Sequence, residues 1–192
     1  MANLVYVSEE VEAFEPSVNE EFLTIKSGEY QRLIFQNVEL REREEEQLDA
    51  FRDYCKENGI TIPEGYDDDK RFVLRVLQGK KWKYDVTANE IIAHNTWKQA
   101  TYPLKYDPVK DMLAQGVIYG HKRDTKFRPI IVVSCAKILA MADKIEEIVS
   151  ATNFFLDHVI SRAMVPGKVE SWTTIFDLKG LGASQMSNKN VQ

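Results

Sequence analysis

Cysteine is scarce in this chain: Cys55 and Cys135 are the only two in 192 residues. They stand far apart, with no C-x-x-C pair and no histidine close enough to complete a zinc set, so they read as reduced, cytosolic thiols. Histidine is scarce as well. His94, His121 and His158 are scattered, and each reads as a surface or turn residue rather than a catalytic base. The sequence contains no G-x-x-x-x-G-K-[ST], no G-x-S-x-G and no H-E-x-x-H. Gly180-Leu-Gly182 is half of a dinucleotide fingerprint, and the third glycine is missing. Cys135, after an apolar run, reads as a small core residue rather than a nucleophile. No triad or metal set emerges, and the expectation is a protein that is not an enzyme. Long apolar runs are missing too: the greasiest window, Pro129 to Ala142, is too short to span a bilayer and contains Lys137. The N-terminus is acidic and lacks the apolar core of a secretory signal.

What is present is an ordinary globular composition, 44% hydrophobic and 29% charged, enough to bury a real core. The net charge of -5 conceals an asymmetry. Residues 1–69 carry 19 acidic and 6 basic side chains, whereas residues 70–192 carry 11 acidic and 19 basic. This pattern fits a solvated acidic front on a mildly basic domain, or a basic part that meets an anionic surface. Nucleic acid is not expected, because arginine-rich stripes with interleaved aromatics, zinc fingers and RNA-recognition signatures are all missing.

Residues 1–38 are poorly defined, with a mixed stretch from Leu23 to Phe35. Residues 39–58 predict a helix with Leu48, Phe51 and Cys55 on one face and Gly59 as its stop. Asp67, Asp68 and Asp69 offer N-terminal caps for a helix through Leu77 or Gln78, closed by Gly79. Thr87 and Glu90 predict a capping box for a helix to about Gln99, and Asp107-Pro108 the start of a short one. From Gly116 the pattern changes. Gly116–Tyr119 and Pro129–Ser134 read as a hairpin. Asp143–Met164 then repeats apolar residues at i, i+3 and i+4, and Pro166-Gly167 ends it. Val169–Leu181, a β-branched and aromatic run closing on Asp177-Leu178-Lys179-Gly180, reads as a second strand, which makes a βαβ unit with parallel strands.

Three segments, in order, resemble the CRAL-TRIO lipid-binding domain, the fold of phosphatidylinositol/phosphatidylcholine transfer proteins and of tocopherol and retinal carriers. Asp68 to Trp82, continuing to Trp97-Lys98, is similar to the family's helical motif. Gly116 to Ile131, with His121, Asp124 and Arg128-Pro129, is similar to its glycine, H-x-x-D and R-P hairpin. Val169 to Leu181 is similar to its V-E-(strand)-D-L-K-G segment, the most specific of the three. Together they span about residues 39 to 186. Two departures stand out: Gln78-Gly79-Lys80 replaces an arginine-alanine-arginine, and Phe127 replaces the glycine before R-P.

The resemblance implies an α/β chain, α+β overall: a helical N-terminal subdomain over 39–102, then the first half of a CRAL-TRIO mixed sheet with covering helices over 103–192. The family's sheet continues past D-L-K-G, so the chain reads as truncated at its C-terminus. The implied function is a cytosolic lipid-binding or lipid-transfer module for a phospholipid such as phosphatidylinositol, with transient membrane contact. The alternative is a fragment that serves only as a protein-interaction module. No cofactor is implied apart from bound phospholipid in an intact form. Phosphoinositide-binding members use the glutamate of V-E on the inositol hydroxyls, which implies a headgroup role for Glu170; a solvated carboxylate at the first residue of a strand is the other reading. Lys80 and Lys81 are further headgroup candidates, or a solvated helix end. Trp172, Thr174 and Phe176 share one side of the strand by alternation. They are candidates for a lipid pocket wall, or for packing under the long helix.

Overall fold

A computed structural model describes residues 6–24, 30–66 and 69–182. They form two compact units: Phe22–Pro103, and Leu104–Gln192 together with Met1–Glu21. The elements mix helices with two small sheets, an α+β chain.

In the second unit α1 (Glu9–Ala13) and α2 (Val18–Glu21) come first in the chain. The first unit opens with an antiparallel hairpin, β1 (Phe22–Thr24) and β2 (Tyr30–Arg32). Helices α3 (Glu42–Glu57), α4 (Lys70–Gly79) and α5 (Tyr84–Thr101) follow. The apolar stripe expected on α3 is buried as a unit, with Leu48, Phe51 and Cys55 packing against Leu74, Leu77 and Ile91. Gly59 takes the left-handed φ of +64° that ends α3, as its position predicts.

One local expectation holds and three are corrected. Asp69 caps α4, its carboxylate accepting the N–H groups of Arg71 and Phe72 at 3.1 and 3.0 Å, while Asp67 and Asp68 lie outside the described residues. Gly79 does not close this helix by a glycine turn. It is the last helical residue, and Lys81 and Trp82 take the left-handed conformation, φ +55° and +60°. Thr87 is no cap either. It lies inside α5, fully buried, and its hydroxyl donates to the Lys83 carbonyl one turn back at 2.8 Å. The turn-forming Asp107-Pro108 also precedes its helix, α6 (Lys110–Ala114), rather than starting it.

The mixed stretch around Leu23–Phe35 conceals a fully buried charge. Arg32, at the end of β2, is fully buried and donates to both carboxylate oxygens of Glu44, 2.7 Å from Nε and 2.6 Å from Nη2. Two of the three remaining guanidinium hydrogens go to the carbonyls of Ile34 and Glu39 at 3.0 Å each. The Arg32 backbone pairs with the Gln78 side-chain amide, accepting at 3.0 Å and donating at 2.7 Å. Gln78, where the family pattern carries arginine, thus imitates a neighbouring strand.

In the second unit, β3 (Ile118–Arg123) and β4 (Pro129–Ser134) form the expected hairpin. Next come α7 (Cys135–Ala140), a 3-10 turn (Ala142–Lys144), α8 (Ile145–Ala163) and β5 (Thr173–Asp177). The sheet order is β3-β4-β5, with β3 antiparallel and β5 parallel to β4, as a strand–helix–strand unit requires. One face of α8, including Ile148, Ala151, Phe155 and Val159, packs with Ile118 of β3 and Ile131 of β4 in a core cluster.

Candidate functional site: an apolar groove beside helix α8

Alternation along a strand sends every second side chain to one face. In β4 these are Ile131 and Val133, and the parallel register sets them beside Thr174 and Phe176 of β5. Trp172, two residues before Thr174, extends the same row. Facing it are Ile148, Thr152 and Leu156 of α8, spaced four residues apart so that they fall on one helical stripe. Ile138 of α7, with Val117 and Ile118, completes the wall. These residues enclose a half-open groove of about 290 Å³.

The three expected wall residues therefore come together. Packing under α8 and lining a groove are one arrangement here, because α8 forms the other wall. Phe176 is 63% exposed and Trp172 36%. None of the described lining residues is titratable in the neutral range; the polar atoms on offer are the hydroxyls of Thr152 and Thr174 and the indole N–H of Trp172. Such a surface can enclose an apolar body and orient it weakly, but supplies neither a general base nor a nucleophile.

The headgroup candidates lie elsewhere. Glu170 is not the first residue of a strand, since β5 starts at Thr173. It is buried, and one carboxylate oxygen accepts the Gly167 N–H at 2.8 Å, which ties down the loop where Val165 pairs with Val169. Lys80 and Lys81 belong to the other unit, where Lys80 pairs with Glu90 at 2.9 Å and Lys81 is exposed. After β5 the turn is fixed by the Asp177 carboxylate, which accepts the Lys179 N–H at 3.0 Å.

The hairpin turn is held by Asp124. One carboxylate oxygen accepts the backbone N–H groups of Lys126 and Arg128, at 2.9 and 3.0 Å. The other takes the Arg128 Nε–H at 2.7 Å and the Thr173 hydroxyl at 3.2 Å, joining the turn to β5. Burial pushes this carboxyl upward, but hydrogen bonds from Arg128 and Lys126 and the Arg128 charge outweigh it, leaving the pKa below the usual carboxylate range. Phe127 adopts the left-handed φ of +58° that a glycine takes without strain, and its ring rests on Phe14 at 5.1 Å. Arg123 donates to the Ala163 carbonyl at the C-terminus of α8, at 2.7 Å. Arg123, Asp124 and Arg128 are thus framework here, and the groove is built by Val117 and Ile118 before them and by the mostly apolar residues from Ile131 onward.

This same stretch decides the comparison with known families. Residues 113–192 match the CRAL/TRIO domain. CRAL/TRIO domains bind lipophilic small molecules, and every strand and helix of the groove lies inside the matched range. The match takes in the hairpin and the V-E-(strand)-D-L-K-G segment; the helical segment from Asp68 to Lys98 lies outside it. A search of the curated proteins returns no match. Among the described residues no group of three or more histidine, cysteine, aspartate or glutamate side chains is placed to hold a metal ion. No helix among them is long and apolar enough to cross a membrane. Thr152, Leu156 and Ile138 were not singled out from the sequence as pocket residues. The four-residue stripe on the long helix was the available signal, but a stripe alone does not reveal which part of it stays uncovered.

Proposed function

We propose that the chain is a non-enzymatic lipid-binding and lipid-transfer module of the CRAL/TRIO type, working in the cytoplasm and touching membrane surfaces transiently. The observation that carries this reading is the apolar groove whose strand wall is Trp172, Thr174 and Phe176, inside the matched stretch. Each methylene moved from water into such a groove gains about 0.8 kcal/mol, so even a partly enclosed acyl chain is held by several of these increments. A phospholipid is the expected ligand, and the Val169-Glu170 pair makes phosphatidylinositol the first to test. Native mass spectrometry of the purified protein should show a co-purified lipid, and Thr152→Trp, which fills the groove, should remove it. Lipid-free protein that also moves no phospholipid between liposomes would overturn the reading.

A second reading is favoured by one observation. Ile175, Phe176 and Leu178 are exposed at 48%, 63% and 43% on and just after β5. Apolar groups clustered on one strand suit a protein-interaction module. Lipid-free, transfer-inactive protein is the outcome this reading predicts.

A further inference from the structure

A second and larger cavity, about 510 Å³, opens at the other flank of α8. Of its described lining residues it shares Ile118 alone with the groove. Its size falls within the roughly 300–1,000 Å³ of small-molecule pockets. The floor is apolar: Leu113 of α6, Ile118 of β3, and Phe154 and Phe155 of α8. One side is a ladder of rings, Tyr106 to Phe154 at 5.8 Å and Phe154 stacked on His158 at 6.4 Å.

Its charge is one-sided. Lys110, His121 and Lys122 line it and are exposed, and none of its described lining residues is acidic. His158 also lines it, and its Nε2 is buried with no hydrogen-bond partner among the described residues. A buried polar nitrogen without a partner is uncommon in a folded protein and marks a place where a ligand or water completes the pairing.

From these features we infer that the second pocket binds an anionic amphiphile, a carboxylate or phosphate monoester on a single aliphatic or aromatic body. The body lies on Phe154, Phe155, Leu113 and Ile118. Lys110 and Lys122 attract the anion, and His158 Nε2 supplies the buried hydrogen bond. A cationic ligand would face two lysines without a carboxylate to offset them, and a purely apolar one would leave His158 unpaired. The inference does not rest on lipid binding in the groove.

The test uses cis-parinaric acid, whose fluorescence rises in apolar surroundings, beside its methyl ester. The full chain should bind the acid well and the ester weakly. The double variant Lys110→Met/Lys122→Met, altered only at exposed positions, should weaken the acid about tenfold, what two solvent-screened charges supply, and leave the ester unchanged. His158→Leu should weaken the acid further, and Thr152→Trp, which blocks the groove, should not affect it. Dodecyl phosphate should displace the probe and inorganic phosphate should not. Equal binding of acid and ester, no binding of either, displacement by inorganic phosphate, or loss of the acid in Thr152→Trp alone would each overturn the assignment. The Thr152→Trp arm separates this outcome from failure of the groove, which is read by co-purified lipid.

Discussion

Replacing Glu44 with glutamine should nearly unfold the unit that contains it. The substitution keeps the shape and removes the charge from a carboxylate that meets two guanidinium nitrogens at 2.7 and 2.6 Å, with both side chains at most 2% exposed. What remains is a buried arginine facing no opposite charge, met only by neutral groups such as the carbonyls of Ile34 and Glu39, the Phe22 ring at 4.6 Å and the new amide oxygen. Breaking one side of a buried ion pair costs about 3–5 kcal/mol, against a total domain stability of about 5–15 kcal/mol. The double variant Arg32→Met/Glu44→Leu removes both charges and leaves three backbone groups without their side-chain partners: the Ile34 and Glu39 carbonyls, and the Arg41 N–H that donates to Glu44 at 2.8 Å. At about 1 kcal/mol each these total about 3 kcal/mol, the low end of the cost of Glu44→Gln, so the double variant should lose no more than Glu44→Gln alone. Urea denaturation followed by tryptophan fluorescence reads the change, since Trp82 and Trp97 lie in this unit. A loss under about 1 kcal/mol for Glu44→Gln would refute the argument that the pair is desolvated. A double variant as unstable as the sum of the two single ones would refute the argument that the unpaired charge carries the cost.

Three further predictions concern the framework. Phe127→Gly should be nearly neutral in a denaturation experiment, because relief of about 1–2 kcal/mol of left-handed strain offsets a ring contact of about 0.5–1.5 kcal/mol with Phe14. Phe127→Ala, which keeps the strain and loses the ring, should be clearly less stable than the glycine variant. Asp124 is depressed in the folded state, so its contribution is complete above the unfolded value near ~3.9 and is lost as pH falls through the lower folded value. Asp124→Asn should accordingly flatten the acid limb of the stability profile. His94 is also held below its usual value, first by burial and then by Lys98, with Glu90 opposing, and its ring nitrogen pairs with the Tyr66 hydroxyl at 3.0 Å. Its neutral form favours folding, so stability should fall as pH drops below about 6.5, and His94→Leu should remove that slope.

Much of the fold was legible because periodicity is local. The face of α3, the hairpin, the long apolar helix and the parallel second strand all follow from spacing and turn residues. Boundaries were less legible. β5 begins at Thr173, four residues after Val169, because the Glu170 carboxylate holds the Gly167 loop, a contact that no propensity encodes. Thr87 shows the same limit: a threonine followed by a glutamate three residues on matches a capping box, yet the helix starts at Tyr84 and the hydroxyl turns back on Lys83. Long-range polar pairs were invisible. Arg32 and Glu44 stood in an undefined stretch and on a charged helix, and only folding shows that they are each other's partner. In the candidate site the strand wall followed from alternation, whereas the helix wall required knowing which stripe of α8 remains uncovered beside β5. The second cavity gave no sequence signal, because Lys110, Lys122 and His158 come from three separate elements.

The most direct test of the central claim is native mass spectrometry of the purified full chain, with wild type and Thr152→Trp prepared in parallel. The groove predicts a wild-type species heavier than the 22.1 kDa polypeptide by the mass of one phospholipid, and a variant without that adduct. Wild-type protein without a phospholipid adduct, or a phospholipid adduct that persists when the groove is filled, would contradict it.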